Sequence, residues 1–321
     1  MKELTIGKND GGQRLDRFLS KALPHLPPSL IARLIRKKHF RVNGKHVPAD
    51  FHLTRGDVLA MYLSDEQLTP PPAEEEWRLA RGEVLIAYED ENILIADKPS
   101  GLLCHGDDSG SPDTLINRIK KLLAERGEWK PGEENSFVPA LANRIDRNTC
   151  GLVLAAKNAE TLRVLNELIR DRKIGKYYLC TVKGNPSFTE KTLTGWLVKD
   201  PSTNTVRVHR SPGPGRLTAV THVKVLSRNG DTALLECELG TGRTHQIRAQ
   251  LAAEGLPITG DTKYGRDASG RKGQNLCSYK AVFPKDAGII SYLSGKNIFS
   301  SFVSEFDLPD THEKTRAFKS I

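Results

Sequence analysis

Apolar positions along this chain change their period from one segment to the next. Leu15, Phe18, Leu19 and Ala22 recur at the three- and four-residue spacing of one helix face. A second helical pattern covers residues 29–38, with Ser29 as the expected N-cap after Pro27-Pro28. Arg41-Val-Asn-Gly44-Lys45 then sets an Asn-Gly pair between short apolar runs, which predicts a hairpin. Thr54-Arg-Gly-Asp57 predicts a second turn ahead of the apolar run 58–63.

Residues 64–77 interrupt the pattern with three prolines, five acids and no basic residue. Such a segment predicts an extended, stiffened linker that does not pack, does not hold a polyanion, and leaves few contacts between its two sides. The chain therefore divides into a small module at 1–63, the linker at 64–77, and a large domain at 78–321. Within that domain, strand signals fall at 84–88, 93–96, 152–156, 177–183, 220–225 and 233–239. Helical patterns fall at 114–126, 158–171 and 244–254. Strands with irregularly inserted helices predict an α+β domain with a largely antiparallel sheet. Residues 201–216, rich in Ser, Thr, Pro, Gly and Arg, read as a flexible loop, either touching a polyanion or merely solvated.

Charge adds a partner to this picture. The 321-residue chain carries a formal net charge of +9, and residues 1–63 hold 12 Lys/Arg against 5 Asp/Glu, most of that surplus. A basic excess packed into one small module suits a phosphate backbone, with a merely soluble basic domain as the alternative. Five cysteines lie at least 30 residues apart. With no signal peptide, they predict reduced packing thiols in a cytoplasmic protein. No CxxC pair, HExxH motif or His cluster predicts a metal site, no Walker A motif predicts a nucleotide cofactor, and no apolar run approaches a membrane span.

Chemistry concentrates in Asn143-Arg144-Ile145-Asp146-Arg147-Asn148-Thr149-Cys150-Gly151. A carboxylate set between two arginines, ahead of a Thr-x-Gly turn and a strand, is how an ionised nucleophile would be built. A surface ion cluster ahead of a buried strand would look the same.

Four ordered motifs resemble the RluA-type RNA pseudouridine synthases. The segment 143–151 is similar to that family's catalytic loop, and residues 89–102 resemble its strand and Lys98-Pro99-Ser100-Gly101 loop. Lys176-Tyr177-Tyr178-Leu179 looks like its Lys-x-Tyr-Leu strand. Thr241-Gly242-Arg243-Thr244-His245-Gln246-Ile247-Arg248, followed by Gly260-Asp261 and Tyr264-Gly265, resembles its most specific string. The first module, with Arg14-Leu15-Asp16, Val42-Asn43-Gly44 and Gly56-Asp57, resembles the S4 RNA-binding domain.

The resemblance implies an S4-type helix-helix-hairpin module before a mixed, mainly antiparallel-sheet catalytic domain that isomerises uridine to pseudouridine without a cofactor or metal. It implies Asp146 as nucleophile, Arg248 as the partner that keeps it ionised and in place, and Tyr178 against the base, suited to help remove the C5 proton. Arg144 is implied to fill the gap left by a flipped nucleotide; Arg243, His245 and Gln246 would contact phosphate or sugar at a helix start. Arg33, Arg36, Lys37 and Lys38, with Arg14 and Lys45, would grip RNA through the S4 module; a solvated helix face is the plainer reading. A monomer acting on large-subunit ribosomal RNA is expected, with a transfer-RNA enzyme or a catalytically silent RNA-binding factor as alternatives. The chain departs from the motif at Asn143 (more often His), Cys150 (Ser) and Ala249-Gln250 (Val-His).

Overall fold

The computed structural model describes residues 1–69, 75–107, 110–265 and 273–309. In the first unit, α1 (Leu15–Ala22) buries Leu15, Phe18 and Leu19 as its spacing predicts. Helix α2 (Pro28–Arg36) starts two residues earlier than expected, with Pro27, not Ser29, as N-cap and Pro28 opening the helix. Proline suits that first position because its fixed φ is already helical and its missing N–H has no intrahelical partner there.

Three strands, β1 (Lys2–Thr5), β2 (Phe40–Val42) and β3 (Val58–Met61), form a small antiparallel sheet in the order β1-β3-β2. The Asn-Gly turn forms, with φ of 50° at Asn43 and 76° at Gly44. Beyond it only a Val42–Lys45 bridge closes, and β2 pairs with β3 instead. The Asn43 side chain explains the diversion: its amide donates to Asp57 at 2.8 Å and its carbonyl accepts from the Val58 N–H at 2.9 Å.

The expected linker packs more than its composition suggested. Ser64 caps a single-turn helix α3 (Asp65–Leu68) in a reciprocal capping box with Gln67, and the Gln67 carbonyl lies 3.0 Å from His25 Nε2. Trp77 packs against the large domain's core, edge-on to Trp129 with ring centroids 5.5 Å apart. An indole has too much apolar area to leave in water when a core edge is near. The three prolines lie outside the described residues.

The large domain follows in chain order as β4 (Ile86–Glu89), β5 (Ile93–Lys98), α4 (Leu115–Glu125), β6 (Ala140–Leu141), β7 (Cys150–Ala156), α5 (Ala159–Arg170), β8 (Gly175–Lys183) and β9 (Glu190–Asp200). It continues through β10 (Thr205–His209), β11 (Leu217–Asn229), β12 (Thr232–Leu239), α6 (Gln246–Ala253), β13 (Leu276–Val282) and β14 (Asn297–Phe299). These strands make one sheet in the order β10-β9-β11-β12-β8-β13-β7-β5-β4, with β14 on β13 and β6 on β7. Every pairing is antiparallel except that of β13 with β7. At that junction Gly151, the glycine of the Thr-x-Gly turn, sits at φ 105°, and a Cβ there would lie 2.3 Å from the Ser278 carbonyl oxygen. Only glycine permits the contact.

Strand β7 is buried on both faces. Leu152 and Leu154 pack with Leu165 and Leu168 of α5, while Val153 and Ala155 join Tyr178, Ile247 and Ile145 in the core beneath the cleft. The segment expected to be a flexible loop at 201–216 contains β10, paired with β9 over five residues. Val206 is its one buried side chain, too little apolar periodicity to predict a strand.

The two units also meet directly, contrary to the few contacts expected. Asp10 accepts from Ser136 Oγ at 2.7 Å and Asn135 Nδ2 at 2.8 Å, Gln13 donates to Ser136 Oγ at 2.9 Å, and Asn9 accepts from the Ala159 N–H at 3.1 Å. The seam is polar, so no hydrophobic pattern announces it.

Candidate active site

The loop between β6 and β7 carries Asp146. A turn holds it, with the Thr149 N–H donating to the Asp146 carbonyl at 3.1 Å. Lys98, fully buried at the end of β5, anchors the same loop. Its ammonium donates to the carbonyls of Leu102, Pro99 and Arg147 at 2.7, 2.9 and 2.9 Å. The Lys-Pro-x-Gly loop and the Asp146 loop are thereby stapled together without a carboxylate. Burial draws this ammonium's pKa down to about 8.

Helix α6 supplies the facing wall. His245 precedes it as N-cap in the left-handed conformation, φ 52°, a costly backbone state for a non-glycine residue. One turn later, Arg248 donates from Nη1 to Asp146 Oδ2 at 2.8 Å. Its Nε and Nη2 meet Asp261 at 2.8 and 3.0 Å. Arg248 is 7% and Asp261 0% exposed at the side chain, against 24% for Asp146. One buried guanidinium thus joins a fully enclosed carboxylate to one open to the cleft. Burial pushes the Asp261 carboxyl up, but the Arg248 hydrogen bonds and charge, with the Tyr264 and Lys263 N–H groups, outweigh it and hold the pKa below its usual value.

Tyr264 completes this wall, its ring lying 5.1 Å from the Arg248 guanidinium carbon. Its hydroxyl accepts from the Val206 N–H at 2.7 Å, which leaves the O–H free to donate to His245 Nδ1 at 2.9 Å. That assignment puts the imidazole proton on Nε2, which faces Asp146 Oδ2 at 3.9 Å. Burial lowers the His245 pKa, more than the Asp146 charge raises it, so the ring is neutral at neutral pH.

Tyr178, on β8, is 6% exposed and closes the floor. Burial pushes its phenol well above the usual tyrosine range, and the neighbouring Asp146 charge adds to the rise. The O–H stays intact at neutral pH.

The cleft encloses about 300 Å³, and Asp146, Tyr178, Arg248, Arg144, Arg243, His245 and Gln246 all line it. The structure therefore brings together every large-domain residue singled out in the sequence. The two arginines flanking Asp146, however, do not pair with it. Arg144 is exposed at the mouth, and Arg147 turns away to donate to the Gly101 carbonyl at 3.1 Å. The cation that meets Asp146 comes from Arg248, 102 residues downstream. Gln246, expected to contact phosphate or sugar, is buried and engaged within the protein. Its carbonyl accepts from Thr241 Oγ1 at 2.7 Å and the Arg243 N–H at 3.0 Å, and its amide donates to the Val220 carbonyl and Thr221 Oγ1 at 3.0 and 2.9 Å. With both ends saturated, it is a brace between α6 and β11.

The family model for RNA pseudouridylate synthase matches residues 92–253, half of the chain, and that for the S4 domain matches residues 13–59. The chain is 35% identical over 263 residues to ribosomal large subunit pseudouridine synthase C of Vibrio vulnificus (strain CMCP6), covering 81% of this chain and 79% of that protein. This chain belongs to the RNA pseudouridylate synthase family. The protein of the same name from Escherichia coli (strain K12) is 33% identical over 270 residues, covering 83% of this chain and 80% of the relative. Among solved structures, human RNA pseudouridylate synthase domain containing 1 shares the fold, with a TM-score of 0.56 at 19% identity over 78% of this chain and 98% of that one.

Within that family frame, the departures from the usual motif have structural employment. Asn143 accepts from the Leu154 N–H at 2.8 Å and locks the Asp146 loop to β7. Cys150 is buried against the Leu276 carbonyl, 3.7 Å away. Gln250 accepts from Thr221 Oγ1 at 2.7 Å beneath α6.

In the S4 module Arg33, Arg36, Lys37, Lys38 and Lys45 are exposed. Arg36 and Lys38 border a groove of about 960 Å³ together with Arg17 and Lys21, which carried no expectation. Arg14 differs from the rest, since Asp16 ties up its guanidinium at 2.7 Å. Among the described residues no helix is long and apolar enough to cross a membrane. Asp261 and Tyr264 stood inside quoted motifs, yet sequence reasoning gave them no part in the site, while Asp97-Lys98-Pro99 was expected to shape a loop and not to perform chemistry.

Proposed function

We propose that this chain isomerises uridine to pseudouridine in large-subunit ribosomal RNA, with Asp146 as the nucleophile. One observation carries the reading: a cleft-facing carboxylate oriented at 2.8 Å by an arginine that a buried carboxylate fixes from behind. The relatives' names supply the substrate, ribosomal large-subunit RNA. A guanidinium anchored on two sides cannot swing away, so the attacking oxygen is set in advance of substrate binding.

Taking a base out of its stack costs about a few kcal/mol. Arg144, exposed and lining the cleft, stacks into the vacancy in this reading. The base then lies against Tyr178, and Asp146 attacks the sugar or the base as the bond from N1 to C1′ breaks. The uracil turns, C5 bonds to C1′, the C5 proton departs and N1, which bears none in uridine, gains a proton, so atoms balance with no co-reactant. Because the Tyr178 phenol stays protonated, its part is packing and hydrogen-bond donation. The C5 proton then falls to Asp146 once that carboxylate is released. The enzyme is taken to act as a monomer; light scattering on the RNA-free protein tests this.

Asp146→Asn tests the nucleophile. Turnover on a large-subunit RNA fragment should vanish while affinity falls less than about tenfold, roughly 1.4 kcal/mol. Retention of more than about a tenth of wild-type turnover, a barrier change under roughly 1.4 kcal/mol, would reject the assignment.

A further inference from the structure

Lys176 enters the same cleft and takes no part in the scheme above. It stands two residues before Tyr178 on β8, so both side chains leave the same face of the strand, and both line the cleft. Its stem is partly buried, while its ammonium reaches the rim, 3.4 Å from where a Cβ at exposed Gly242 would stand. A side chain at 242 would crowd it.

Two other buried lysines in this domain are saturated. Lys98 has three carbonyls, and Lys157 has Glu89, Glu128 and the Asp90 carbonyl. Lys176, by contrast, has no hydrogen bond and no ion pair among the described residues. The carboxylates of this site, Asp146 and Asp261, are both engaged by Arg248. Burial alone draws the Lys176 pKa down, with no anion to offset it. Holding a partly desolvated ammonium without a counter-charge is costly, and the cost is recovered when an anionic ligand arrives. The ligand at hand in a cleft for an extruded nucleotide is the backbone of that nucleotide.

We propose that Lys176 binds the phosphodiester adjoining the extruded uridine, fixing the backbone at the Gly242 rim while the base lies against Tyr178. A phosphate contact positions without reading sequence, which is what a nucleotide leaving its stack requires. The inference rests on the proposed isomerisation.

The test pairs protein and substrate changes. Large-subunit RNA stem-loops would carry an ordinary or a neutral methylphosphonate linkage on the 5′ or 3′ side of the uridine. Wild type, Lys176→Gln and Lys176→Arg are compared by kcat/KM and, separately, by Kd. Lys176→Gln should lower kcat/KM on ordinary RNA by about tenfold or more, and Lys176→Arg should recover most of it. One neutral linkage should cost the wild type a similar factor and cost Lys176→Gln nothing further. Losses that multiply independently at both linkages would overturn the inference, as would full activity of Lys176→Gln. If Lys176→Gln melts early, the Arg variant and the wild-type linkage series still decide. Absence of wild-type turnover would reject the proposed function instead, and the coupling in Kd would then decide for or against the phosphate contact.

Discussion

Replacing Asp261 with Asn removes one negative charge from behind Arg248 and little else in shape. Arg248 keeps at most one of its two charge-assisted hydrogen bonds to this side chain, at 2.8 and 3.0 Å, and loses the anion behind both, in a site where its partner is fully enclosed. Bonds of this kind contribute roughly 1.5–3 kcal/mol each, and breaking one side of a buried ion pair costs about 3–5 kcal/mol. The new amide would also turn an N–H group towards the guanidinium or towards the Tyr264 and Lys263 N–H groups that Asp261 accepts from now. Asp261→Asn should therefore lose about 3–5 kcal/mol of stability in urea unfolding. The double variant Arg248→Met/Asp261→Leu separates structure from chemistry. With both members of the enclosed pair gone and Asp146 open to the cleft water, it should recover most of that stability, yet turn over no better than Asp146→Asn, because Asp146 has lost the cation that aims it. A loss under about 1 kcal/mol for Asp261→Asn, below the buried-pair range, or near-wild-type turnover in the double variant, would refute this account of the triad.

Four further outcomes follow. The folded pKa of Asp261 lies below its unfolded value of 3.8, so its contribution to stability is full above that value and lost as pH falls through the lower folded one. Acid unfolding of Asp261→Asn should accordingly show a shallower pH dependence below about pH 4 than wild type. Lys98 works in the opposite sense: its pKa falls from 10.5 unfolded to about 8 folded, so wild-type stability should gain between those values as pH rises, a gain that Lys98→Met should lack. On the S4 module, converting Arg33, Arg36 and Lys37 to Gln should flatten the log–log salt dependence of RNA binding by about 0.7–0.9 for each phosphate no longer neutralised, and an unchanged slope would mean this face does not grip RNA. Arg144→Ala should lose more turnover on a stem-loop than on a short flexible oligonucleotide, since extrusion costs least from a single strand. Equal losses would reject its place in the vacated stack.

Much of this architecture was legible because local and tertiary demands agree. The helix starts at Thr114 and Asn158 carry side chains that cap the next turn in the structure, at Asn117 and Thr161. The unbroken apolar run of β7 marks a strand buried on both faces. What escaped notice was written in polar residues. The seam made by Asn9, Asp10 and Gln13 with Asn135 and Ser136 has the composition of ordinary surface, as does the half-polar strand β10. The same limit applied at the site. Proximity in sequence suggested Arg144 and Arg147 as the partners of Asp146, and only the family resemblance named Arg248; the loop points one to solvent and the other to the Gly101 carbonyl. The partner is on α6, and its own anchor, Asp261, lies 13 residues further on. Such a chain of contacts depends on how α6 packs on the sheet, and no spacing encodes that.

Mapping pseudouridines in ribosomal RNA tests the central claim most directly. Cells lacking this protein would be complemented with the wild type or with Asp146→Asn at matched abundance. The account predicts that specific large-subunit pseudouridines disappear in its absence, return with the wild type, and stay absent with Asp146→Asn. A large-subunit map that is the same in all three strains, or modification restored by Asp146→Asn, would contradict it.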